Sequence, residues 1–276
     1  MRILTKEKRV AVVAALVEGN SIRSTCRMTG VAKGTVLKLL ADLGRVCYEY
    51  QDKTLRGLHC KRIQADEIWS FCYGKENNLP ENLKYRNGYG DVWTWTAICA
   101  DSKLVVCWHV GDRNTTDAHA FIQNLAERMA DRIQISTDGL ESYLKAIAEA
   151  FNNNVDYSQI VKVYGKPEGK KGSHFIPNEV LAVRKESQIG NPDMAHTSTS
   201  FVERQNLTMR MSMRRFTRST NAFSKKLENL KYAIALHFMY YNFCRIHQSL
   251  RCTPAMRAKV SDHVWEIGDI LALLPN

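Results

Sequence analysis

The chain has 276 residues, of which 45% are hydrophobic, enough for one large domain and a small one around a sizeable core. Lysine and arginine number 39 against 28 aspartate and glutamate, and the resulting formal net charge of +11 favours a polyanionic partner, nucleic acid above all. No apolar run is long enough to span a membrane and the N-terminus does not have a signal-peptide pattern, so we expect a cytoplasmic protein without membrane contact.

The first 45 residues predict a small all-α helix-turn-helix domain. Gly30 stands where a tight turn would join a second helix to a third, which runs from Lys33 to Leu43 and which Gly44 would end. Residues at the start of a recognition helix face base edges in the major groove, and nearby arginines contact phosphates. A small helical bundle for protein contacts is the alternative. The DNA-binding residues predicted here are Arg23, Lys33, Thr35 and Lys38.

The remainder of the chain is predicted to form an α/β domain. Residues 46–60 are predicted to be a linker, and residues 61–250 alternate as three antiparallel strands, helix, strand, helix, strand and further helices. This order is typical of an RNase H-like fold, with a mixed five-stranded sheet and flanking helices. Residues 165–197 are rich in Gly, Lys, Pro, Ser and Asn and predict a long surface loop. Residues 251–276 are predicted to form a C-terminal tail.

Three acidic residues are candidates for a metal-dependent active site. Asp66 lies within an apolar first strand, where an unpaired carboxylate is costly. Asp138 ends the apolar strand IQIST, which lies beside the first strand in this fold, and Glu203 lies on a helix after the long loop. Phosphodiester chemistry uses two metal ions held by carboxylates. We therefore predict that Asp66, Asp138 and Glu203 bind two Mg²⁺ ions, with Mn²⁺ as a possible substitute.

Each of these acids also has a structural alternative. Asp66 could be a salt-bridged strand residue, Asp138 could cap the next helix, and Glu203 could be a solvated helix acid. Glu67, the neighbour of Asp66, is expected to point to the other face of its strand. The tryptophans in the predicted strands favour a core role over base stacking; they are Trp69, Trp93, Trp95 and Trp108.

Basic residues follow the third acid. Arg210 comes seven residues after Glu203, about two helical turns, so both project from one helix face. Further cations continue along the chain, and a solvated helix face would normally mix charges of both signs. The segment therefore predicts a second set of DNA contacts, at Arg210, Arg214 and Arg215.

The segments ADEIWSF, STDG and SFVERQNLTMR resemble the three signature regions of Asp-Asp-Glu (DDE) transposases and retroviral integrases. The closest resemblance is to the insertion-sequence-one family of bacterial and archaeal transposases, and YNFCRIHQSLRCTP resembles a tail shared by many insertion-sequence transposases. The resemblance covers nearly the whole chain. It implies a catalytic and metal-binding triad of Asp66, Asp138 and Glu203, and assigns the family's basic helix residue to Arg210.

The resemblance also implies an activity and its partners. Water would cut the DNA to free a 3′-OH, which would then attack target DNA. The expected partners are double-stranded DNA, as transposon terminal inverted repeats and target, and a second copy of the chain, in a prokaryotic, nucleoid-associated setting. Family members often carry a Cys-rich zinc-finger segment that this sequence does not have, and no zinc is expected. A metal-dependent nuclease of the same fold and an inactive DNA-binding regulator are the alternatives.

Overall fold

The computed structural model describes residues 4–84, 86–165, 179–217 and 220–275, and its centre is a mixed sheet. The six strands found in these residues are β1 (Arg62–Cys72), β2 (Gly90–Cys99), β3 (Val105–Gly111), β4 (Gln134–Asp138), β5 (Asp156–Tyr164) and β6 (Val180–Ile189). Their order is β3-β2-β1-β4-β5-β6. β4 runs parallel to β1 and β5, and the other neighbours are antiparallel. This α/β arrangement is compatible with an RNase H-like fold.

Helices flank both faces of the sheet. They are α1 (Lys6–Val17), α2 (Ile22–Thr29), α3 (Lys33–Thr54), α4 (Thr115–Ala126), α5 (Glu141–Ala150), α6 (Ser200–Ser212), α7 (Leu227–Met239), α8 (Pro254–Arg257) and α9 (Ile267–Ala272). A π-helical turn, Tyr240–Cys244, extends α7. In the part of the chain that the structure describes, no helix is both long and apolar enough to cross a bilayer.

Side chains of β1 alternate between two buried layers, as the pleat of a strand requires. Ile63 and Ala65 pack into a core that includes residues of α4 and α5, such as Phe121. Ile68 packs into a second core with Val202 of α6 and residues of α7. The α4–α5 layer and the α6–α7 layer therefore lie on opposite faces of the sheet, and β1 carries side chains into both.

The predicted loop 165–197 contains a sixth strand, so the prediction of five strands was wrong. β6 pairs antiparallel with β5, from Tyr157 opposite Ile189 to Tyr164 opposite Val180. Most β6 side chains are exposed. The β6 sequence accordingly does not alternate between apolar and polar residues, which is the pattern that predicts a half-buried strand. Backbone hydrogen bonds at the edge of the sheet hold it instead. Residues 166–178 of that loop lie outside the described residues.

Helix α3 is longer than predicted and continues through Gly44 to Thr54, across part of the predicted linker. The reason is packing against α7. A Cβ added at Gly44 would lie 2.3 Å from Cβ of Tyr232, so the glycine permits close contact between the two helices and does not end α3. Apolar residues of α1 and α3 belong to the same buried core as β1 and α4.

We expect Gly44→Ala to lower the free energy of unfolding by about 2 kcal/mol, because the added methyl group forces α3 and α7 apart. Gly34→Ala is the matched control, since nothing lies within 4 Å of its added Cβ and alanine favours the helix. The control should be stabilised by about 0.5 kcal/mol. Urea unfolding measures both, and similar values for the two variants would contradict this account of the α3–α7 contact.

Candidate functional site

Asp66 and Asp138 lie at the same level of adjacent strands. The parallel register of β1 and β4 pairs Gln64 with Ser136, and each aspartate comes two residues later. β4 ends at Asp138, whereas β1 continues to Cys72. The two carboxylates therefore meet where the strands separate, as the sequence predicted for a strand and its neighbour.

Glu67 joins these two residues in an acidic cluster that could hold a metal ion. One carboxylate oxygen from each of Asp66, Glu67 and Asp138 lies within 4.8 Å of the others. Glu67 points to the opposite face of β1 from Asp66, as expected. Its carboxylate accepts a hydrogen bond from the hydroxyl of Tyr143, which is on α5. It was nevertheless missed as a site residue, because Asp138 at the end of its strand is close to the acids on both faces.

Mg²⁺ suits this set of donors. Octahedral coordination at about 2.1 Å places ligand oxygens roughly 3 to 4 Å apart, and the three carboxylate oxygens of the cluster all lie within 4.8 Å of one another. Asp138 also accepts a hydrogen bond from the backbone N–H of Leu140 at 3.1 Å, so its role in shaping the turn before α5 is compatible with metal binding.

Burial, together with the negative charges around them, raises the pKa of two acids in the cluster. Burial raises the pKa of Asp66 to about 7, and the charges of Glu67, Asp138 and Glu203 add to the effect. Burial, with the charge of Asp138, also raises the pKa of Glu67. Arg113 opposes this by donating from Nε to Oε1 of Glu67 at 2.6 Å. A bound cation would relieve the repulsion.

Glu203 lies near this cluster but is not part of it in the described residues. Its Oε1 is 2.9 Å from Nζ of Lys162 on β5 and accepts a hydrogen bond from Thr199 at 3.0 Å. Gln64 fixes the start of its helix, because its side-chain oxygen accepts from the backbone N–H groups of Phe201 and Val202. The carboxylate of Glu203 is bonded to Lys162, and it still lies close enough for its charge to raise the pKa of Asp66.

Asn206 is a site residue that sequence reasoning missed. It lies one helical turn after Glu203, and its amide nitrogen donates to Oδ2 of Asp66 at 2.8 Å. Its amide oxygen is buried and accepts no hydrogen bond from the residues that the structure describes. Its position three residues after Glu203 could have indicated this role, because residues three apart project from one helix face.

Four of the residues predicted to bind DNA line one open cleft between the N-terminal helices and the segment after α6. The cleft has a volume of about 1160 Å³ and is lined by Arg23, Lys33, Arg214 and Arg215 together with Lys225 and Lys226. No aspartate or glutamate is found among the described residues that line it. This basic cleft combines cations from the two regions that the sequence predicted as separate DNA-binding sets.

Two polar side chains of this cleft, Arg215 and His237, have few hydrogen-bond partners among the described residues. Arg215 is half-buried, burial lowers its pKa to about 10, and its hydrogen bond to Ser224 is 3.5 Å long. His237 is buried, and neither ring nitrogen has a hydrogen-bond partner among the described residues. Burial lowers the pKa of His237 to about 3, so its ring is neutral. An anionic ligand would offset the cost of desolvating Arg215.

The other predicted DNA-binding residues lie elsewhere. Lys38 is exposed and forms an ion pair with Asp42 at 2.7 Å, one turn along α3. Thr35 is partly buried, and Arg210 is partly buried in the last turn of α6. Neither these three residues nor Glu203 is among the described residues that line the basic cleft.

Comparisons with known proteins do not assign a family. A scan against protein-family models finds no match to this chain. A search of curated proteins also finds no match.

We expect Asp66→Asn to stabilise the metal-free protein at pH 8 and to leave its stability nearly unchanged at pH 4. The folded pKa of Asp66, about 7, is above its ordinary value of 3.8, so this carboxyl group lowers the stability progressively as the pH rises from 3.8 to about 7, and the full cost is present at pH 8. The gain at pH 8 should be on the order of 1–2 kcal/mol. Urea unfolding at both pH values, with a chelator present, measures it.

Glu81→Gln is the matched control, because it removes a carboxylate whose side chain is 87% exposed. Its effect should be small and similar at the two pH values. A destabilised Asp66→Asn variant at pH 8 would contradict the conclusion that burial and neighbouring charges disfavour the ionised form of Asp66.

Proposed function

We propose that this protein is a DDE-type transposase that binds transposon ends and catalyses metal-dependent DNA cleavage and strand transfer. The observation that carries the proposal is the acidic cluster of Asp66, Glu67 and Asp138, at the end of β4 in the middle of the sheet. A cluster of hard oxygen donors suits Mg²⁺ or Mn²⁺. The resemblance of ADEIWSF, STDG and SFVERQNLTMR to transposase signature regions supplies the reaction.

The residues around the cluster have distinct roles in this proposal. Asp66, Asp138 and Glu203, with Glu67 beside them, would hold two divalent ions, which activate an attacking hydroxyl and stabilise the leaving oxygen. Asn206 orients Asp66 through its hydrogen bond of 2.8 Å. Lys162 neutralises Glu203 and keeps its carboxylate beside the cluster.

The proposed reaction consists of two displacements at phosphorus. Water attacks the phosphorus at the transposon end and gives up a proton to solvent. The P–O bond to the 3′ oxygen breaks, and that oxygen takes up a proton, which leaves a 3′-OH and a 5′-phosphate. That hydroxyl then loses its proton and attacks a phosphodiester of the target strand. A new P–O bond joins the two DNAs, and the P–O bond to the target's 3′ oxygen breaks, so that this oxygen leaves and is protonated to a 3′-OH. The joining step therefore conserves the number of phosphodiester bonds and needs no external energy source.

The basic cleft supports DNA as the substrate. Arg23 and Lys33 come from the N-terminal helices, and Arg214 and Arg215 follow α6, so one strand of DNA could contact both. Cations in a lining that includes no described acidic residue bind phosphates and release counterions, which supplies most sequence-independent affinity. Pairing two transposon ends would use two copies of the chain, so a homodimer on DNA is part of the proposal.

A nuclease of the same fold is the second candidate. The observation that favours it is the membership of Glu67 in the cluster, because Asp66, Glu67 and Asp138 could hold a metal ion without Glu203. Hydrolysis would need only the first of the two displacements. An inactive regulator derived from a transposase would not need the intact acids.

The test is a cleavage and joining assay in Mg²⁺ or Mn²⁺, with duplexes made from the DNA that flanks the gene and a supercoiled target plasmid. We expect the wild-type protein to cut the duplex and join it to the plasmid. Asp138→Asn should slow both steps by about a hundredfold or more, because it removes a ligand at the centre of the cluster. Asp131→Asn is the matched control and should retain activity, since Asp131 is exposed and bonds to His59.

The outcomes separate the candidates. Cutting without joining would support the nuclease, and DNA binding without cutting would support the regulator. Full activity of Glu203→Gln together with loss in Glu67→Gln would assign the third ligand to Glu67. Wild-type activity of Asp138→Asn would refute the proposed metal site.

A further inference from the structure

An aromatic row extends from the acidic cluster along one face of the sheet. Beyond Glu67, the same face of β1 carries Trp69 and Phe71, and Trp93 of β2 is the register partner of Trp69. The ring centroids of Trp69 and Phe71 are 5.6 Å apart, and those of Phe71 and Phe223 are 4.8 Å apart. We call these four residues the aromatic platform: Trp69, Phe71, Trp93 and Phe223.

The aromatic platform is partly exposed, in contrast to the core role that the sequence favoured for its tryptophans. Trp95, which lies opposite Glu67 in the register, is fully buried and fits the core prediction. Trp69 and Trp93 retain exposed surface, as do Phe71 and Phe223. The platform therefore begins where the packing of α4 and α5 against this face ends.

Cationic side chains lie over these rings. Nζ of Lys75 is 5.7 Å from the ring centroid of Trp69, and Nζ of Lys225 is 3.8 Å from that of Phe223. Cζ of Arg113 is 5.1 Å from the Trp93 ring, and the same guanidinium bonds Glu67 of the acidic cluster. Long cationic side chains can move aside from a ring face and bind phosphate, which an apolar core side chain cannot do.

We propose that the aromatic platform stacks unpaired nucleobases of the DNA strand whose phosphodiester lies at the acidic cluster. The inference rests on the proposed function and adds that the DNA substrate is unpaired next to the bond to be cut. Aromatic side chains on a sheet face, with cations beside them, bind successive bases whatever their sequence, because every base has a π face. Residues two apart on a strand are about 7 Å apart, so Trp69 is within about one nucleotide of Glu67.

The bound bases are unpaired for a geometric reason. Bases inside a duplex are stacked on both sides, so a ring on the surface of a sheet can stack only on a base that has left the helix. Opening a base pair costs a few kcal/mol, and stacking on protein aromatic residues offsets that cost. The platform thus favours DNA that is frayed or opened next to the bond to be cut.

The aromatic platform also connects the acidic cluster to the basic cleft. Phe223 and Lys225 belong to the cleft lining, and Phe223 contacts Phe71 of the platform. A strand that leaves the cleft could therefore pass over the platform to the carboxylates. This path has phosphate-binding cations at each step and places the unpaired bases between the two sites.

The experiment compares two DNAs of equal length and sequence on one strand, one fully paired and one with mismatches at three adjacent positions. Binding is measured by anisotropy in Ca²⁺, and 2-aminopurine at one mismatched position reports stacking by fluorescence quenching. Because base stacking tolerates any sequence, the test does not depend on knowing the transposon ends. The wild-type protein should prefer the mismatched DNA and quench the probe.

Trp69→Leu and Trp93→Leu should each weaken binding of the mismatched DNA by about tenfold and reduce quenching, with little change for paired DNA. Trp69→Phe keeps a ring and should retain most of the preference. Trp108→Leu is the matched control, since Trp108 is a partly exposed tryptophan that packs 5.0 Å from Phe238 of α7, on the opposite face. It should bind both DNAs as the wild-type protein does.

Equal binding of the two DNAs by the wild-type protein, or equal losses on both DNAs in the leucine variants, would overturn the inference. Its failure is distinguishable from failure of the proposed function. A wild-type protein that prefers and quenches mismatched DNA but does not cut in Mg²⁺ keeps the platform and refutes the transposase. A protein that cuts and joins while Trp69→Leu and Trp93→Leu bind like wild type refutes the platform alone.

Discussion

Parallel pairing of β1 with β4 is the constraint on which the candidate site depends. It sets Asp66 and Asp138 at one level, and the end of β4 leaves room for Glu67 to approach from the other face. The hydrogen bonds from Phe201 and Val202 to Gln64 then fix α6 beside the same strand, which brings Asn206 to Asp66. A shift of one residue between β1 and β4 would send their side chains to opposite faces and separate the aspartates.

Charge balance around the cluster gives the site its chemical character. Burial and mutual repulsion raise the pKa values of Asp66 and Glu67, while Arg113 and Lys162 each bond one nearby carboxylate. The same arginine lies over Trp93 of the aromatic platform. Cations, carboxylates and aromatic rings are therefore neighbours, and in the proposed function they would contact the phosphates, the metal ions and the bases, respectively.

The sequence predicted the parts of the structure that depend on burial. Asp66 and Asp138 were found because each interrupts or ends an apolar strand, and the order of strands and helices followed from their periodicity. The sequence could not reveal β6, because its side chains are mostly exposed. It could not reveal the role of Gly44 either, because that role depends on Tyr232, which is far away along the chain. The cluster position of Glu67 was also hidden, because alternation along one strand does not show where a neighbouring strand ends.

The central claim is that Asp66, Glu67 and Asp138 bind a divalent cation, and titration of the metal-free protein with Mn²⁺ tests it most directly. Calorimetry and the loss of the free Mn²⁺ paramagnetic resonance signal measure binding without any DNA substrate. We predict saturable Mn²⁺ binding by the wild-type protein and at least about tenfold weaker binding by Asp138→Asn. Equal affinity in the two proteins, or no saturable binding by the wild-type protein, would contradict the account.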